Sequence, residues 1–449
     1  MFSKVRAVLD DGFIVGLVFA LFLAGKIVPY LVVVGVVPIA IFWNKSDYAS
    51  SRSAILRFAL PTAGYFAFCL LLLVFYQGLQ AGEKPPRNPD LELYAIAIAM
   101  LAIGFLRGLQ IKNLYGRFHV VAPWSLVAAF AVLSGYMFLG IRDDCRIRAE
   151  AAWPFIPAVI FTTLAFLLLL DWEDSSRRAR FLRLALISLS IVVVLGYTGS
   201  RGVAVAQFGV LATFMLLRLS RKFRAALPTT TELLASAAVG MLLCLPVQAV
   251  TGCNSFGRLP AVFDIFGNAY AIDAEAPTNG AKPGTAVRIE TSEGQGVALR
   301  AEAERAAAQR SGDPSITLRL DMWAVSIKAI REAPFFGHGA LSLRSIIQDR
   351  FGFEHNHNQY LSWLVTGGMV FLCFGLLFLF TPYLLSYGLP PVNRAVLTLS
   401  VTGLWGIAMV FDSFLSLDFY LHYFSLLLGF LFALTSDMVR AKRPQNECT

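Results

Sequence analysis

The sequence predicts an all-α polytopic membrane protein with about twelve transmembrane helices. Of its 449 residues, 57% are hydrophobic and only 15% are charged, whereas ordinary soluble domains are about 25% charged. Apolar runs long enough to cross a hydrocarbon core of roughly 30 Å recur along the chain. Runs such as 191–195 and 371–380 do not alternate apolar and polar residues, as the strands of a membrane β-barrel would.

Hydropathy places the first nine spans in residues 1–250 and the last three in residues 357–435, with a tail over 436–449. A large polar segment, 251–356, separates spans nine and ten, and we expect it to be partly helical. The predicted spans cover 11–25, 28–43, 57–76, 93–106, 118–140, 154–171, 181–198, 201–219, 231–250, 358–382, 394–412 and 417–435.

The distribution of lysine and arginine predicts the orientation, because cytoplasmic loops carry an excess of both. Clusters at 177–180 and 221–224 then lie inside, which places both termini in the cytoplasm and the large segment outside. The net charge of +9 reflects this orientation, and nothing resembles a nucleic-acid-binding module. The N-terminus does not resemble a cleaved signal peptide, since its apolar run continues past Lys26.

Ionisable residues are rare within the predicted spans and cluster at their ends, as at Asp171, Asp412 and Asp418. A transporter usually holds such groups in mid-membrane, where they couple ions to substrate, so a site on the outer face is favoured. Cys145 and Cys253 both fall on that face, where a disulfide is allowed but not predicted by the sequence alone.

The turn between spans seven and eight, 198–202, reads Thr-Gly-Ser-Arg-Gly. It places the Arg201 guanidinium at the membrane surface beside Gly202, and guanidinium groups bind phosphate oxygens in a bidentate fork. The alternative is an arginine that only extends its charge out of the membrane.

Within the large segment, Arg319 and Trp323 lie four residues apart and therefore on one face of a predicted helix. Pro314 is typical of the start of such a helix, and Pro334 of its end. A surface arginine stacked on its own tryptophan is the alternative.

The sequence His355-Asn356-His357-Asn358 precedes span ten. An asparagine here can cap the helix, and histidine titrates near neutral pH, as a general base for a hydroxyl must. Two histidines at i and i+2 do not share a helix face, so this spacing supports a metal site weakly.

Three motifs together resemble the O-antigen ligase/O-antigen polymerase superfamily, bacterial membrane glycosyltransferases of the GT-C type. They are Ser-Arg-Gly at 200–202, the Arg319…Trp323…Pro334…Gly-His-Gly stretch, and His-Asn at 357–358 followed after nine residues by Gly368. The resemblance covers about 180–385, and the twelve-span layout with a large ninth loop also resembles the ligases. Phe371 departs from the Gly, Thr or Tyr expected of a ligase.

The resemblance implies transfer of a glycan from a polyprenyl (undecaprenyl) diphosphate to a sugar hydroxyl of lipid A-core, on the periplasmic face of the inner membrane. It implies that Arg201 and Arg319 bind the diphosphate and that His357 is the general base, with His355 as the second choice. Expected donor or acceptor contacts are Arg201, Gly202, Arg319, Trp323, His338, His355, Asn358 and Gly368.

We expect no cofactor and no metal ion, because guanidinium groups replace the metal. The open alternatives are a repeat-unit polymerase, a protein O-glycosyltransferase and a lipid-linked glycan transporter. Residues 274–296 are predicted to form a flexible lid and 298–310 a solvated helix. Whether Arg288, Arg300 and Arg305 reach the donor stays open, as do the sugar and the oligomeric state.

Overall fold

A computed structural model describes most of the chain, and the regular secondary structure of its described residues is helical apart from one short β pair. The pair joins β1 (Arg142–Asp143) to β2 (Arg146–Ile147) in antiparallel register, with Asp143 opposite Arg146. The described ranges are 2–23, 36–41, 52–79, 89–139, 142–143, 146–147, 155–251, 314–339, 342–353, 355–416 and 418–442.

Two π-helical stretches cover Val192–Tyr197 and Leu399–Gly403, and a 3-10 turn covers Phe414–Ser416. The α-helices are numbered in chain order. They are α1 (Phe2–Leu23), α2 (Val37–Ile41), α3 (Arg52–Leu79), α4 (Pro89–Gln110), α5 (Leu114–Phe138), α6 (Phe155–Leu167), α7 (Arg177–Ile191), α8 (Arg201–Leu217), α9 (Thr230–Thr251), α10 (Pro314–Glu332), α11 (Ser342–Phe351), α12 (Gln359–Leu379), α13 (Thr381–Leu385), α14 (Pro391–Thr398), α15 (Leu404–Ala408) and α16 (Asp418–Lys442).

The prediction of a helical, multi-pass membrane protein is confirmed. Within the described ranges, six helices are long and apolar enough to cross a membrane: Glu92–Gln110, Leu114–Phe138, Arg177–Tyr197, Thr230–Thr251, Gln359–Leu379 and Tyr420–Ala441. Shorter apolar helices cover Leu60–Leu72, Pro157–Leu167 and Arg201–Leu217. The count of twelve spans stays a prediction.

Aromatic and glycine contacts hold the helices together. Tyr65 of α3 stacks on Phe378 of α12 with ring centroids 4.3 Å apart and planes 5° apart. Between α4 and α16, Gly104 and Gly429 let the two backbones approach closely, because a Cβ at Gly429 would lie 2.5 Å from the Phe105 nitrogen. Small residues at such crossings allow the close van der Waals packing that drives helix association in membranes.

A buried ion pair ties α1 to α4. Arg107 Nη2 lies 2.5 Å from Asp10 Oδ1, and both side chains are at most 3% exposed. Breaking such a pair would leave an uncompensated buried charge. The contact therefore fixes the relative position of these two helices.

Helix α12 is broken at Gly367 and Gly368, and a tight turn from α10 fills the break. This turn, residues 334–339, is the tip segment. The His338 and Gly339 N–H groups donate to the Val365 and Thr366 carbonyls at 2.8 and 2.7 Å. In return, the N–H groups of Met369 and Val370 donate to the Pro334 and Phe335 carbonyls at 2.8 and 3.3 Å.

These backbone bonds replace the intrahelical bonds that the break removes. Gly368 has φ +64° and ψ −158°, a combination that essentially only glycine adopts. A Cβ there would overlap the Phe335 carbonyl group. The junction between α12 and the tip segment therefore requires the glycines that both elements carry there.

Several sequence predictions fall outside the described residues. They are the lid at 274–296, the helix at 298–310, the question of Arg288, Arg300 and Arg305, and the Cys145–Cys253 pairing.

Candidate active site

Arg201 opens helix α8 because the residues before it end the previous helix and cap the next. Gly199 has φ +57°, which suits glycine, and the Ser200 side chain accepts a hydrogen bond from the Val203 N–H at 3.4 Å. Gly202 lets the start of α8 pack on Phe411, since a Cβ at Gly202 would lie 2.6 Å from the Phe411 Cβ. The first N–H groups of a helix carry partial positive charge, so this end favours an anion.

Helix α10 brings Arg319 to the same place. A pocket is lined by the 199–203 turn, by Ser315 and Arg319 of α10, and by Ala408, Phe411, Asp412 and Phe414. Arg201 and Arg319 are 118 residues apart in the chain, yet both border this pocket. The pocket therefore combines two guanidinium groups with a helix N-terminus.

Asp412 joins this pocket to the histidine turn. His357 Nδ1 lies 3.2 Å from Asp412 Oδ1, and His355 Nε2 lies 3.7 Å from the same oxygen. The two imidazole rings are 4.3 Å apart. Asp412 is 7% exposed, and the histidines are 15% and 18% exposed. Both rings thus combine a buried carboxylate partner with partial access to solvent.

The charge state of Asp412 determines which group donates and which accepts in its hydrogen bond with His357. Asp412 lies in the non-helical segment between α15 and the 3-10 turn, at the outer end of the predicted span 394–412. Burial raises the pKa of its carboxyl, but the hydrogen bond from His357 and the charges of His357, His355 and Arg319 lower the pKa to about 2. An ionised carboxylate only accepts hydrogen bonds. Nδ1 of His357 is therefore the donor, and in the neutral ring Nε2 carries a free lone pair.

Buried polar contacts hold the histidine turn. Trp323 Nε1–H donates to the Asn356 carbonyl at 2.9 Å. The Asn356 amide donates to Ser326 Oγ, and its oxygen accepts from the Asn358 N–H and from Ser362 Oγ. Because Asn356 is fully buried, these bonds satisfy groups that would be costly to leave unpaired.

His357 itself has φ +53°, an uncommon conformation for a residue other than glycine. The Asn358 side chain accepts from the Leu361 N–H at 3.1 Å and so caps α12. The Asn358 N–H also donates to Ser413 Oγ at 3.1 Å. The strained turn is therefore held between the cap of α12 and the residue after Asp412, which aims His357 at Asp412.

The same cluster offers metal ligands. Among the described residues, His355, His357 and Asp412 form the group of three ligating side chains whose donor atoms lie within 4.8 Å of one another. Imidazole nitrogens and a carboxylate oxygen are donors that zinc and related divalent ions accept. The histidines lie in a turn, so they need not share a helix face to contact one ion.

Residues 184–380 match the family model described as O-antigen ligase. This part of the chain is similar to the O-antigen ligase domain, which supports the resemblance to the O-antigen ligase/polymerase superfamily. No curated protein matches the chain. The O-antigen ligase domain begins in α7 and ends just after α12, so it includes Arg201, Arg319 and His357 but stops before Asp412. The match supports a glycosyltransferase-like enzyme of a bacterial membrane, with lipid-linked glycan substrates.

The structure brings together part of the predicted site. Arg201, Gly202 and Arg319 border the pocket, and His355 and His357 contact its Asp412. Trp323 and Asn358 hold the histidine turn through hydrogen bonds to Asn356 and Ser413. These residues therefore form one continuous region on three separate segments of the O-antigen ligase domain.

Three other residues singled out in the sequence lie elsewhere. His338 Nε2 contacts the Ala329 carbonyl at 2.7 Å in the tip segment, and Gly368 lies in the helix break. Phe371, the departure from the ligase pattern, is 4% exposed and packs against Tyr65 with centroids 5.8 Å apart. Its identity therefore affects helix packing at a distance from the pocket.

Sequence reasoning did not find the role of Asp412. It treated Asp412 as one of several charges at the ends of spans. The available signal was an Asp-Ser pair, 412–413, at the end of a span whose other charged residue is Arg394 at its start, on the same predicted side as the histidines.

Proposed function

We propose that this protein transfers a glycan from a polyprenyl diphosphate to a sugar hydroxyl of lipid A-core, on the periplasmic face of the inner membrane. The observation that carries the proposal is the single pocket in which Arg201, Arg319 and Asp412 meet, with His357 hydrogen-bonded to Asp412. The O-antigen ligase domain supports the reaction class.

The donor diphosphate would occupy the pocket. Arg201 and Arg319 supply charge-assisted hydrogen bonds to its oxygens, and the N-terminus of α8 adds partial positive charge. As the bond between the anomeric carbon and the diphosphate oxygen breaks, negative charge grows on the leaving group. Donors already in position stabilise that charge without reorganising, and such electrostatic stabilisation is the main source of rate enhancement in many enzymes.

His357 would activate the acceptor. Nε2 accepts the proton of the sugar hydroxyl as the hydroxyl oxygen attacks the anomeric carbon, and the diphosphate leaves with the bonding electron pair. Asp412 holds the ring by its Nδ1–H and stabilises the imidazolium that forms. General base catalysis of this kind contributes about 10²–10⁴-fold to the rate.

The test is a transfer assay with purified protein, a polyprenyl-diphosphate glycan and a lipid A-core acceptor in EDTA. We expect glycan on the core with wild type and little with Arg319→Ala. Arg350→Ala is the matched control, because Arg350 is exposed on α11 and should leave transfer unchanged. Transfer that stops in EDTA and returns with a divalent ion would assign His355, His357 and Asp412 to a metal instead.

The products of this assay also distinguish the alternatives. Longer lipid-linked chains with an unmodified core would show a polymerase, which would use the same pocket with another acceptor. A transporter would move lipid-linked glycan across a vesicle membrane at the same rate with His357→Ala as with wild type. Neither protein would then transfer glycan to an acceptor.

A further inference from the structure

The tip segment carries two large apolar side chains that the protein leaves uncovered. Phe335 is 68% exposed and Phe336 is 74% exposed. The four backbone hydrogen bonds to α12 fix the backbone that carries them. Two adjacent exposed aromatic side chains are typical of a surface that contacts another molecule or a membrane, because their exposure to water is unfavourable.

Helix α12 shows where the neighbouring surface faces lipid. Its exposed residues recur every four positions at Met369, Cys373 and Leu377, and exposed Phe380 follows. The stripe does not continue above Met369, since Val365, one turn earlier, is buried against α10 and α11. On this face of a membrane-spanning helix, contact with lipid therefore begins at Met369.

Beyond α12, exposed aromatic side chains prolong the stripe. It continues through α13 to Tyr387, which is 64% exposed and lies 5.4 Å from the Arg394 guanidinium carbon. Aromatic side chains beside arginine are typical of a membrane–water interface. Within α12 the stripe runs from Met369 to Leu377, a rise of roughly 12 Å at 1.5 Å per residue, and α13 is a separate helix that begins at Thr381. Met369 therefore lies at the end of the stripe that is farther from Tyr387.

The N–H of Met369 donates to the Pro334 carbonyl, so the tip segment lies at this end of the lipid-facing stripe. Charged residues precede it in the chain: Lys328, Arg331 and Glu332 are all exposed in the last turns of α10. Basic side chains near a membrane surface attract anionic lipid headgroups, and neighbouring apolar side chains such as phenylalanine can enter the acyl-chain layer.

We propose that Phe335 and Phe336 insert into the leaflet on the site's side of the membrane and anchor helix α10 to the bilayer. The partner surface is the acyl-chain layer itself, with Lys328 and Arg331 at anionic headgroups. The anchor holds α10, and with it Arg319 and Trp323, at a fixed height over the membrane. This inference concerns lipid contact and does not depend on the reaction proposed above.

The test is the depth of a spin label in the full-length protein, in liposomes of phosphatidylethanolamine and phosphatidylglycerol. Labels are placed by Phe336→Cys and, separately, Phe335→Cys, in a background whose other accessible cysteines are serine. Glu332→Cys is the matched control one turn earlier. Collisions with oxygen, which partitions into acyl chains, are compared with collisions with a water-soluble nickel chelate.

We expect both phenylalanine positions to favour oxygen and Glu332→Cys to favour the nickel chelate. Two results would overturn the proposal. Equal nickel access at 336 and 332 would place the tip segment in water. If neither reagent reached the label at position 335 or the label at position 336, the surface would be covered by protein. The covering protein would be another part of this chain or a second copy of it. Agreement between 335 and 336 guards against a local distortion by one label.

Discussion

His357 Nδ1 lies 3.2 Å from Asp412 Oδ1, across 55 residues of sequence. The contact joins the turn before α12 to the segment after α15, and it orients an imidazole whose other nitrogen is free to take a proton. Asp412 also borders the pocket with Arg201 and Arg319. The pair therefore connects the proposed general base to the pocket that we propose binds the diphosphate.

Asp412→Asn should slow transfer with little change in the KM for the donor. The amide has nearly the shape of the carboxylate, but it carries no charge to stabilise an imidazolium and can present an N–H to Nδ1, which favours the wrong tautomer. We expect kcat to fall by roughly 10²-fold or more. Steady-state kinetics with Asp349→Asn, an exposed aspartate of α11, as control would measure this; an unchanged kcat would contradict the orienting role.

Acid should remove the stabilisation that ionised Asp412 provides. Its folded pKa of about 2 lies below the ordinary value of 3.8. A depressed pKa means that the stabilisation is complete above about pH 4 and is lost as the pH falls toward 2. The difference in unfolding temperature between wild type and Asp412→Asn, measured in detergent, should therefore shrink across this interval. A difference that stays constant from pH 5 to pH 2 would contradict the assignment.

Gly368→Ala should destabilise the protein although it adds one methyl group. Its φ and ψ are essentially restricted to glycine, at a cost of about 1–3 kcal/mol for another residue, and the methyl group would overlap the Phe335 carbonyl. Thermal unfolding should show a lowered midpoint. Gly135→Ala in α5 is the control, because nothing lies within 4 Å of a Cβ there; equal midpoints for the two variants would argue against the junction.

Trp323→Phe should loosen the histidine turn while preserving most of the packing. It removes the N–H that bonds the buried Asn356 carbonyl at 2.9 Å. Leaving a buried acceptor unpaired costs about 1–3 kcal/mol, so we expect a lower unfolding midpoint together with slower transfer. Trp124→Phe, at a side chain that is 66% exposed, should change neither quantity. A Trp323→Phe protein with wild-type stability and rate would show that this bond is dispensable.

The helical membrane architecture followed from the sequence because long apolar runs dictate it locally. The break in α12 did not, because Gly367 and Gly368 take their conformation from the tip segment, which lies about 30 residues earlier in the chain. Arg201, Arg319 and His357 could be singled out because each sits in a short motif. Asp412 sits in no such motif, and its role depends on a tertiary contact that hydropathy does not reveal.

The most direct test of the central claim is a single-turnover measurement on His357→Ala, with donor binding measured on the same protein. If His357 is the base and the arginines hold the diphosphate, donor affinity should stay near that of wild type while the transfer rate falls by about 10²–10⁴-fold. Transfer by folded His357→Ala at the wild-type rate would contradict the account.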